Sequence, residues 1–531
     1  MKTFQTLSIG CLILFALVCH RSLAAEPAGS ITPGKVTELE FAKVGEVSLT
    51  LDAYVPEGNG PFMTCILVHG GGFMRGDKQS YIKPLFEPLS RAGFAWFSIN
   101  YRLAPDHRWP ACADDVATAV RWVRTHAQDY KVDRNRIALI GESAGGHLVA
   151  WAGTTGKGDT AVAAVVPFYA PFDLEFQVRS RNALGPSMTA LLGLTELNDE
   201  AWKVLRSASP TQQVHSGLPP FLLIHGDQDA QVPYDQSPRF QEKMKAAGNV
   251  CDLIKVAGGE HGMGKWQQLG SDYQPQMIAW LKDTLSRKRS LSKEERQAQV
   301  TAGLKSNDAE VRRIAMHSLA HSDIADAMLA ETQAALNDTD PEVREWAATV
   351  LGPRGVLAQG AVPALVKQLQ RDQIKQCRET AARALGRIGK ATQNNQAAVS
   401  ALEQAAATDA DSVTRVVALG ALALMNPDSP ARMEAVCGFV THDDALTRMK
   451  AAHSLGYLGE RAKSAAPGIA LALQKATDPH ERGYLARALG QVGAREQLPI
   501  LVAEMDKEKN ETALSEMRGA ARRLGWMPPQ K

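Results

Sequence analysis

The chain has 531 residues, of which 45% are hydrophobic and 22% are charged, a composition that excludes collagen-like, coiled-coil and disordered proteins. Its 59 Lys+Arg and 57 Asp+Glu leave a formal net charge of +2, so the overall charge does not favour nucleic acid or an anionic membrane as a partner. The length predicts roughly two to four domains.

Residues 1–25 carry the pattern of a secretory signal peptide. Lys2 supplies a positive charge, residues 7–18 form a nearly unbroken apolar run, and Ala24 and Ala25 are small residues of the kind that precede a cleavage site. An apolar run of about 12 residues is short for a membrane-spanning helix, which needs about 20. We therefore expect an exported protein, periplasmic or secreted, whose mature chain has no membrane span; an uncleaved anchor is the alternative.

Between residues 26 and 288, short apolar runs of strand length alternate with helical patterns. The runs comprise residues 64–70, 94–101, 136–143, 164–170, 221–227 and 251–257. Continuous apolar strands separated by helices predict an α/β domain with a mostly parallel sheet that helices cover on both faces. The segment 172–216 interrupts this alternation, and we expect it to form a lid or side wall over the carboxyl edge of the sheet. Its large residues Phe172 and Trp202 either wall a pocket or pack a core within the insertion.

Two glycine-rich motifs follow strand-like runs in this domain. The pentapeptide GESAG at 141–145 follows the run RIALI and precedes a helical pattern. This is the strand–turn–helix context of a nucleophile elbow, in which a sharp turn exposes the central serine, here Ser143. The sequence HGGGF at 69–73 also follows an apolar run, and its glycines let backbone N–H groups approach a ligand closely. The two motifs predict a nucleophile beside a loop of backbone donors.

A serine nucleophile needs a general base and an orienting carboxylate, and in this fold they follow the serine in the order acid, then histidine. His261 lies in the glycine-flanked segment GGEHGM, and no later histidine competes with it before the second half of the chain. The segment HGDQDAQVP offers two acids. We favour Asp229 over Asp227 because the loop must carry the carboxylate beyond the end of its strand. His225 in this segment is expected to be a structural residue at the strand end.

The second half of the chain repeats with a period of about 34 residues. After the charged stretch SRKRSLSKEERQ, where we expect a linker over 289–298, an arginine close to an acidic residue and followed by an alanine-rich helix recurs at spacings of 32, 34, 37, 33, 34 and 36 residues. The repeated arginines are Arg312, Arg344, Arg378, Arg415, Arg448, Arg482 and Arg518. A period of this length with only helical patterns predicts an all-α solenoid over 299–531. We expect its arginines to form ion pairs between repeats.

Six motifs in sequence make the region from about 36 to 285 resemble the α/β-hydrolase superfamily. They are HGGGF (69–73), NYRLAP (100–105), GESAGG (141–146), SPTQQV (209–214), HGDQDAQVP (225–233) and EHG (260–262). Within the superfamily the domain is similar to hormone-sensitive-lipase-like esterases, and among these to feruloyl- and acetyl-xylan-esterase-like enzymes. The solenoid resembles HEAT repeats of the phycobilisome-lyase-like type, although the copies at Arg312 and Arg415 depart from the usual Leu-Gly ending.

The resemblance implies a serine esterase that acts through an acyl-enzyme. The nucleophile, acid and base would be Ser143, Asp229 and His261, and the oxyanion hole would be formed by the backbone N–H groups of Gly71, Gly72 and Ala144. Substrate contacts are expected from Phe73, which stands where related carbohydrate esterases often have tryptophan, and from Tyr101 and Glu142. Alternatively, Glu142 makes a structural hydrogen bond or ion pair, and Tyr101 braces the sheet edge beneath the HGGG loop.

The expected substrates are acetyl or feruloyl esters of carbohydrates, or other small acyl esters. An amidase, peptidase or formamidase on the same triad is the first alternative, and a non-catalytic protein that binds through its solenoid is the second. Such a triad needs no cofactor or metal, and the cysteines contain no CxxC pair. Residues 299–531 hold 28 Lys+Arg and 27 Asp+Glu, so the expected partner of the solenoid is a protein or a cell-envelope polymer and not nucleic acid.

Overall fold

The computed structural model describes residues 32–287, 290–393 and 395–527. The segment that we expect to be a signal peptide, residues 1–25, lies outside the described residues. The described chain begins with an α/β domain and continues as a stack of helices. Over these three ranges, no helix combines the length and the apolar character that crossing a membrane requires.

The α/β domain is built on one eight-stranded sheet. Its strands are β1 (Val36–Val44), β2 (Val47–Tyr54), β3 (Phe62–Val68), β4 (Ala95–Ile99), β5 (Val132–Glu142), β6 (Ala164–Phe168), β7 (Phe221–Gly226) and β8 (Cys251–Val256). Their order across the sheet is β1-β2-β4-β3-β5-β6-β7-β8. All neighbours from β4 to β8 are parallel, whereas β2 is antiparallel to both β1 and β4. The prediction of a mostly parallel sheet is confirmed.

Helices cover both faces of the sheet. In the range 32–287 they are α1 (Phe86–Arg91), α2 (Ala111–Thr125), α3 (Ala144–Thr155), α4 (Leu174–Arg181), α5 (Pro186–Leu192), α6 (Asp199–Ser207), α7 (Gln236–Ala246) and α8 (Tyr273–Arg287). In β3, Ile66 and Val68 pack in the core that contains α2, α3 and α7, whereas Cys65 and Leu67 pack in the core that contains α1 and α8. Because successive side chains of a strand point to opposite faces, a continuous apolar run buries both.

Strands β1 and β2 are not predicted from the sequence, because their residues alternate between apolar and polar. In β1, Leu39 and Phe41 are buried, whereas their neighbours Glu38 and Glu40 are exposed. A strand near the edge of a sheet, with one face on the core and one in solvent, shows this alternation in place of a continuous apolar run.

The second half is a solenoid of paired helices. They are α9 (Lys293–Leu304), α10 (Ala309–Ala320), α11 (Leu329–Ala335), α12 (Pro341–Leu351), α13 (Val362–Arg371), α14 (Lys375–Ala391), α15 (Gln396–Thr408), α16 (Ser412–Met425), α17 (Pro430–Cys437), α18 (Ala445–Leu458), α19 (Ala466–Lys475), α20 (Pro479–Gln491), α21 (Leu498–Met505) and α22 (Glu511–Arg523). The helices that carry the repeat arginines, α10, α12, α14, α16, α18, α20 and α22, stack one on the next. Their apolar faces join in one continuous core, as expected of an α-solenoid.

The predicted linker 289–298 is wrong in its second part, because helix α9 begins at Lys293. Ser292 caps this helix: its Oγ accepts from the N–H of Glu295 at 3.2 Å, and the Glu295 carboxylate accepts from the N–H of Ser292 at 2.8 Å. This capping box is visible in the sequence as S-x-x-E. Val300 of α9 is buried, so the helix is part of the solenoid.

The α/β domain is fixed to the first helices of the solenoid through α7. Lys243 of α7 is buried, and its Nζ lies 2.6 Å from the Glu310 carboxylate in α10. Gln212 donates to the same carboxylate at 2.8 Å. Ala246, at the end of α7, belongs to the core of the solenoid. Apolar packing and a shielded ion pair therefore join the two parts directly.

Each paired repeat arginine binds its own turn and the following repeat. Nη1 of Arg344 donates to the carbonyl of Asp338, six residues earlier, at 2.9 Å, and its Nε donates to the carboxylate of Asp372 at 2.7 Å. The arginine–carboxylate pairs are Arg312–Asp338, Arg344–Asp372, Arg378–Asp409, Arg448–Glu481 and Arg482–Glu508. The predicted ion pairs between repeats are confirmed for these five arginines.

Arg415 and Arg518 form no ion pair within the described residues. Arg415 keeps the bond to its own turn, because Nη1 donates to the carbonyl of Asp409 at 2.9 Å. In the pairs of Arg312, Arg344 and Arg378 the acid lies six residues before the arginine of the next repeat, and the matching position for Arg415 is His442. Arg415 therefore meets no carboxylate at this position, whereas Arg448 and Arg482 find their acids at other positions, Glu481 and Glu508.

Loss of one guanidinium should destabilise the solenoid. In Arg344→Gln the Asp372 carboxylate, whose side chain is 5% exposed, loses its cation, and we expect the free energy of unfolding to fall by about 3 kcal/mol. The matched variant Arg415→Gln breaks no ion pair and should cost about 1 kcal/mol. Urea unfolding of the full chain, followed by circular dichroism, measures both; equal losses would contradict a stabilising role for the carboxylate pair.

Candidate active site

Ser143 lies in a strained turn between β5 and α3. Its backbone has φ 53° and ψ −117°, in the left-handed half of conformational space that non-glycine residues rarely adopt. The glycines on either side permit this turn. A Cβ on Gly141 would lie 2.2 Å from the carbonyl oxygen of Gly145, and a Cβ on Gly145 would lie 2.2 Å from that of Val68. Only glycine fits at either position, and the turn raises the Ser143 side chain into a cleft.

The structure joins Ser143, His261 and Asp229 by two hydrogen bonds. Nε2 of His261 lies 3.0 Å from Ser143 Oγ, and Nδ1 of His261 lies 2.7 Å from Asp229 Oδ2. Since a carboxylate only accepts, these partners place the imidazole proton on Nδ1 and leave Nε2 to accept from the serine. The three residues follow β5, β8 and β7, so the shared direction of parallel strands brings them to one edge of the sheet.

Asp229 is held by hydrogen bonds on both carboxylate oxygens. Its Oδ1 accepts from the N–H groups of Gln231 and Val232, each at 2.8 Å, while Oδ2 accepts from His261. Burial raises the pKa of Asp229, but hydrogen bonds from His225 and His261 and the charge of His261 outweigh it and hold the pKa far below its usual range. The carboxylate therefore stays ionised and fixed in position.

Asp227, the acid that the sequence analysis disfavours, lies on the outer side of the same loop. Its Oδ1 accepts from the N–H of Gly258 at 2.8 Å, and its Oδ2 lies 3.6 Å from Nζ of Lys255. These contacts tie together the loops that follow β7 and β8. They direct the Asp227 carboxylate to the surface and not to the imidazole.

His225 does more than end strand β7. Its Nε2 lies 3.1 Å from the carbonyl oxygen of Val232 and 3.3 Å from Asp229 Oδ2. On the other side of the ring, Nδ1 lies 2.8 Å from Ser237 Oγ. His225 is completely buried and supports the candidate acid from behind, a contact that the sequence analysis does not identify.

The HGGG loop lies beside Ser143. Gly71, Gly72 and Ala144 line the same cleft as the serine, and their backbone N–H groups remain the predicted donors of an oxyanion hole. Gly71 has φ 102°, and a Cβ there would lie 2.0 Å from the carbonyl oxygen of Arg75. Glycine is thus required where the loop turns toward the cleft.

Tyr101 supports this loop from behind. Its hydroxyl donates to the carbonyl of His69 at 3.1 Å, and its ring stacks on the imidazole of His69 with centroids 4.3 Å apart. Tyr101 is buried and lies outside the cleft lining, so of the two expected roles the brace is the one that fits the structure. Phe73 does contribute to the cleft lining, although it is only 2% exposed and its ring meets His147 edge to face.

Glu142, the residue before the candidate nucleophile, joins the elbow to the HGGG loop. Its carboxylate accepts a hydrogen bond from the N–H of Gly70 and interacts with the hydroxyl of Tyr169. Burial raises the pKa of Glu142 to about 7, although the hydrogen bonds and the charge of His261 oppose this shift. Glu142 also contributes to the cleft lining, so it both makes the structural hydrogen bond and lies at the expected position in the site.

The raised pKa of Glu142 predicts a pH-dependent stability. Between its ordinary value of 4.5 and the folded value of about 7, the folded chain binds a proton that the unfolded chain has lost. The contribution of the protonated Glu142 to the free energy of unfolding is therefore complete below pH 4.5 and is lost as the pH rises through 7. Glu142→Gln stays neutral and keeps an oxygen for the N–H of Gly70.

As the pH increases from 4.5 to 8, we expect the free energy of unfolding of Glu142→Gln to rise relative to that of the wild type by about 3 kcal/mol. Urea unfolding across this range measures the difference. Glu87→Gln, at an exposed position, is the control and should follow the wild type. Parallel curves for wild type and Glu142→Gln would contradict a raised pKa.

The insertion between β6 and β7 forms one wall of the cleft, as predicted. The cleft has a volume of about 760 Å³, and Gln177, Arg181 and Met188 from the insertion line it. The two large residues of the insertion do not. Phe172 stacks on a core phenylalanine at 4.3 Å, and Trp202 packs under the guanidinium of an exposed arginine at 4.1 Å, so core packing, and not the pocket wall, is their role.

Tyr169 is a residue at the site that the sequence analysis does not identify. It follows β6, packs edge to face on the ring of His261 with centroids 4.8 Å apart, and accepts from the N–H of Met263 at 3.3 Å. Its position after a parallel strand beside β5 was a usable signal, because ligands and catalytic groups gather at the carboxyl ends of such strands.

Comparison with known proteins divides the chain in the same way as the structure. A family model described as BD-FAE matches residues 51–244, and one described as HEAT repeats matches residues 298–386 and 329–423. The first match contains Ser143 and Asp229 and ends before the candidate base. The position of that base therefore rests on sequence order and on the hydrogen bonds described above.

Similar proteins include named esterases. The chain is 35% identical over 214 residues to the esterase LipC of Mycobacterium tuberculosis, covering 38% of this chain and 53% of LipC. It is 27% identical over 219 residues to an acetylxylan esterase of Xylanibacter ruminicola, covering 40% of this chain and 44% of that enzyme. A solved truncated form of a carbohydrate esterase from gut microbiota shares 28% identity, with a TM-score of 0.42, 47% of this chain and 97% of that chain covered. The chain thus spans about half the length of the curated relatives it matches.

Proposed function

We propose that this chain, an α/β-hydrolase esterase domain of the BD-FAE type followed by C-terminal HEAT repeats, is a carboxylic ester hydrolase with a Ser143–His261–Asp229 triad. The observation that carries the proposal is the continuous hydrogen-bond chain from Ser143 Oγ to the Asp229 carboxylate at the edge of an open cleft. Its relatives are named esterases and carboxylic ester hydrolases, which supports the same reaction class.

In the first half-reaction, Ser143 Oγ attacks the carbonyl carbon of the ester as its proton passes to Nε2 of His261. Asp229 stabilises the imidazolium that forms. The developing oxyanion lies beside the backbone N–H groups of the HGGG loop and the positive end of α3, where preorganised donors lower the barrier. His261 then gives the proton to the departing alcohol, and the acyl group stays on Ser143.

In the second half-reaction a water molecule takes the place of the alcohol. His261 accepts a proton from the water as its oxygen attacks the acyl carbon, and the same backbone donors hold the second oxyanion. Collapse of this intermediate releases the carboxylic acid and returns the proton to Ser143 Oγ. The enzyme thus ends the cycle in its starting protonation state.

For the substrate we propose acetyl or feruloyl esters of carbohydrates. One support is the acetylxylan esterase among the relatives. Another is the mouth of the cleft, where Arg75, Tyr81 and Arg181 are exposed. Charged and hydroxyl groups at the rim suit an alcohol rich in hydroxyls, which can exchange its bonds to water for bonds to these side chains.

The test compares p-nitrophenyl acetate, methyl ferulate and p-nitroacetanilide as substrates of the full chain, followed by acetylated xylan. We expect turnover of both esters, release of acetate from the polysaccharide and little cleavage of the anilide. Faster cleavage of the anilide would favour an amidase. Turnover of none of them by a folded sample would favour a binding protein that works through its solenoid.

We also propose that the enzyme acts after export, in the periplasm or outside the cell. The support is the charged, apolar and small-residue pattern of residues 1–25. Amino-terminal sequencing of the protein from culture medium and cell fractions should find a chain that begins at Ala25 or Glu26. A chain in the membrane fraction that still begins at residue 1 would indicate an uncleaved anchor.

A further inference from the structure

A cavity of about 290 Å³ lies on the helix layer that carries the repeat arginines. Helix α16 forms its floor with small or apolar residues, namely Val417, Gly420, Ala421 and Leu424, and side chains of α14, α18 and α20 form its rim. This volume is at the lower end for ligand pockets. It suits a single ring-sized group, either free or as one unit of a polymer that continues along the solenoid.

The cavity exists because one repeat has a glycine where its neighbours have large side chains. The position five residues after the repeat arginine is Arg383 in α14, His453 in α18 and Arg487 in α20, but Gly420 in α16. A Cβ on Gly420 would lie 2.4 Å from Oγ of Ser454. Because α16 packs closely on α18, no side chain covers the cavity floor at Gly420. The larger side chains of the flanking helices form the rim around it.

The rim carries three cations, and its lining contains no carboxylate. The cations are Arg383, Arg387 and Lys450. Within the described residues Arg383 and Arg387 form no ion pair, and Nζ of Lys450 approaches a carboxylate, that of Glu379, only to 4.0 Å. The repeat arginines of the same solenoid hold their carboxylates at 2.6–2.8 Å, so the rim cations stand out as incompletely neutralised.

These cations also destabilise one another. Burial and the charge of Arg387 lower the pKa of Arg383, and burial and the charge of Arg383 lower the pKa of Lys450, whereas Glu345 and Glu379 act in the opposite direction on both. The pKa of His453 on the rim is lowered by burial and by the same cations. An anion in the cavity would relieve this repulsion.

Aromatic and hydroxyl groups complete the rim. Tyr457 is 58% exposed, with the guanidinium of Arg387 5.8 Å from its ring centroid and 3.4 Å from its hydroxyl. Tyr484 and Ser454 lie on the same rim. An exposed aromatic face packs against the apolar face of a ring, and hydroxyls can bond to the hydroxyls of a ligand.

We propose that this cavity binds a uronic acid residue of an acidic polysaccharide, with Arg383, Arg387 and Lys450 on its carboxylate and Tyr457 against its sugar ring. The planar guanidinium fork matches a carboxylate. The aromatic wall favours an anion carried on a ring over inorganic phosphate, which gains nothing from it. The polar, open rim favours a hydroxylated ring over an aromatic acid. The proposal does not depend on the proposed esterase activity.

The test is calorimetric titration of the full chain carrying Ser143→Ala, which removes turnover. The titrants are a glucuronic-acid-substituted xylo-oligosaccharide, the matching neutral oligosaccharide and inorganic phosphate. We expect binding of the first and no measurable binding of the other two. Arg383→Gln and Arg387→Gln should each weaken binding at least about tenfold, because each removes charged hydrogen bonds. Lys390→Gln, exposed on the same helix α14 and outside the cavity, should leave the affinity unchanged.

The exposed Tyr457 provides a variant with little risk to the fold. Tyr457→Phe should retain most of the affinity, whereas Tyr457→Ala should lose it with the stacking face. Absence of binding by the parent chain, equal affinity for the neutral oligosaccharide, tighter binding of phosphate, or an equal effect of Lys390→Gln would each overturn the proposal. Hydrolysis of p-nitrophenyl acetate by the wild-type chain is a separate measurement, so failure of uronate binding and failure of the esterase proposal are distinguishable.

Discussion

Replacement of Ser143 by alanine is expected to lower kcat for p-nitrophenyl acetate by a factor of about 10⁵ or more, with the chain still folded. Ser143 Oγ is the atom that we propose forms the bond to the acyl carbon, and it is the atom that meets His261 Nε2 at 3.0 Å. Alanine leaves the backbone donors in place, so only a small residual rate should remain. Steady-state kinetics and circular dichroism on the same samples measure activity and fold together.

A second serine in the cleft provides the matched control. Ser187 lines the same cavity as Ser143, but its hydroxyl has no imidazole partner among the hydrogen bonds of residues 32–287. Ser187→Ala should therefore change KM slightly and leave kcat nearly unaltered. Comparable activity of Ser143→Ala and wild type would reject Ser143 as the nucleophile. A large loss of activity in Ser187→Ala alone would indicate that the reaction takes place in another part of the cleft.

Asp229→Asn is expected to lower kcat by about 10⁴-fold with little change in structure. The Asp229 carboxylate accepts from Nδ1 of His261 at 2.7 Å and so keeps the proton on that nitrogen. An asparagine amide can donate to Nδ1 instead, which moves the imidazole proton to Nε2. Nε2 then cannot accept the proton of Ser143. The neutral amide also fails to stabilise the imidazolium that forms during attack.

The neighbouring Asp227 is the control for this prediction, because the sequence offers both acids in one loop. Asp227 bonds to the N–H of Gly258 and faces Lys255 at the surface, so Asp227→Asn should keep activity within a few-fold of the wild type. kcat values for p-nitrophenyl acetate decide between the two. A greater loss in Asp227→Asn than in Asp229→Asn would exchange their roles.

The predictions of architecture succeed where the signal is local and repeated. The apolar runs at 164–170 and 221–227 become β6 and β7 because a strand covered on both faces has no polar positions. The edge strand β1 is missed because its exposed glutamates break such a run. The start of α9 at Lys293 is missed because its capping box lies within a charged stretch that resembles a linker.

The residues of the candidate site also fall into two groups, those that a local signal in the sequence identifies and those that it does not. Ser143 and the glycines around it are identified from a short motif, since the sharp turn imposes its own residue requirements. His261 follows from the order of residues along the chain. The supporting contacts of His225 and Tyr169 are not identified, because nothing in a strand-end histidine or tyrosine indicates which loop packs against it.

The sequence by itself determined the parallel strands β3 to β8 and the solenoid, because periodicity acts over a few residues, and turn chemistry and residue order indicated the candidate nucleophile, acid and base. Only the tertiary structure decided that Tyr101 lies behind the HGGG loop, that Glu142 bonds to Gly70, and that a glycine in one repeat opens a cationic cavity. Those outcomes depend on burial and on partners 31 to 72 residues away along the chain or on neighbouring helices of the stack. Such contacts form only when the whole chain has packed.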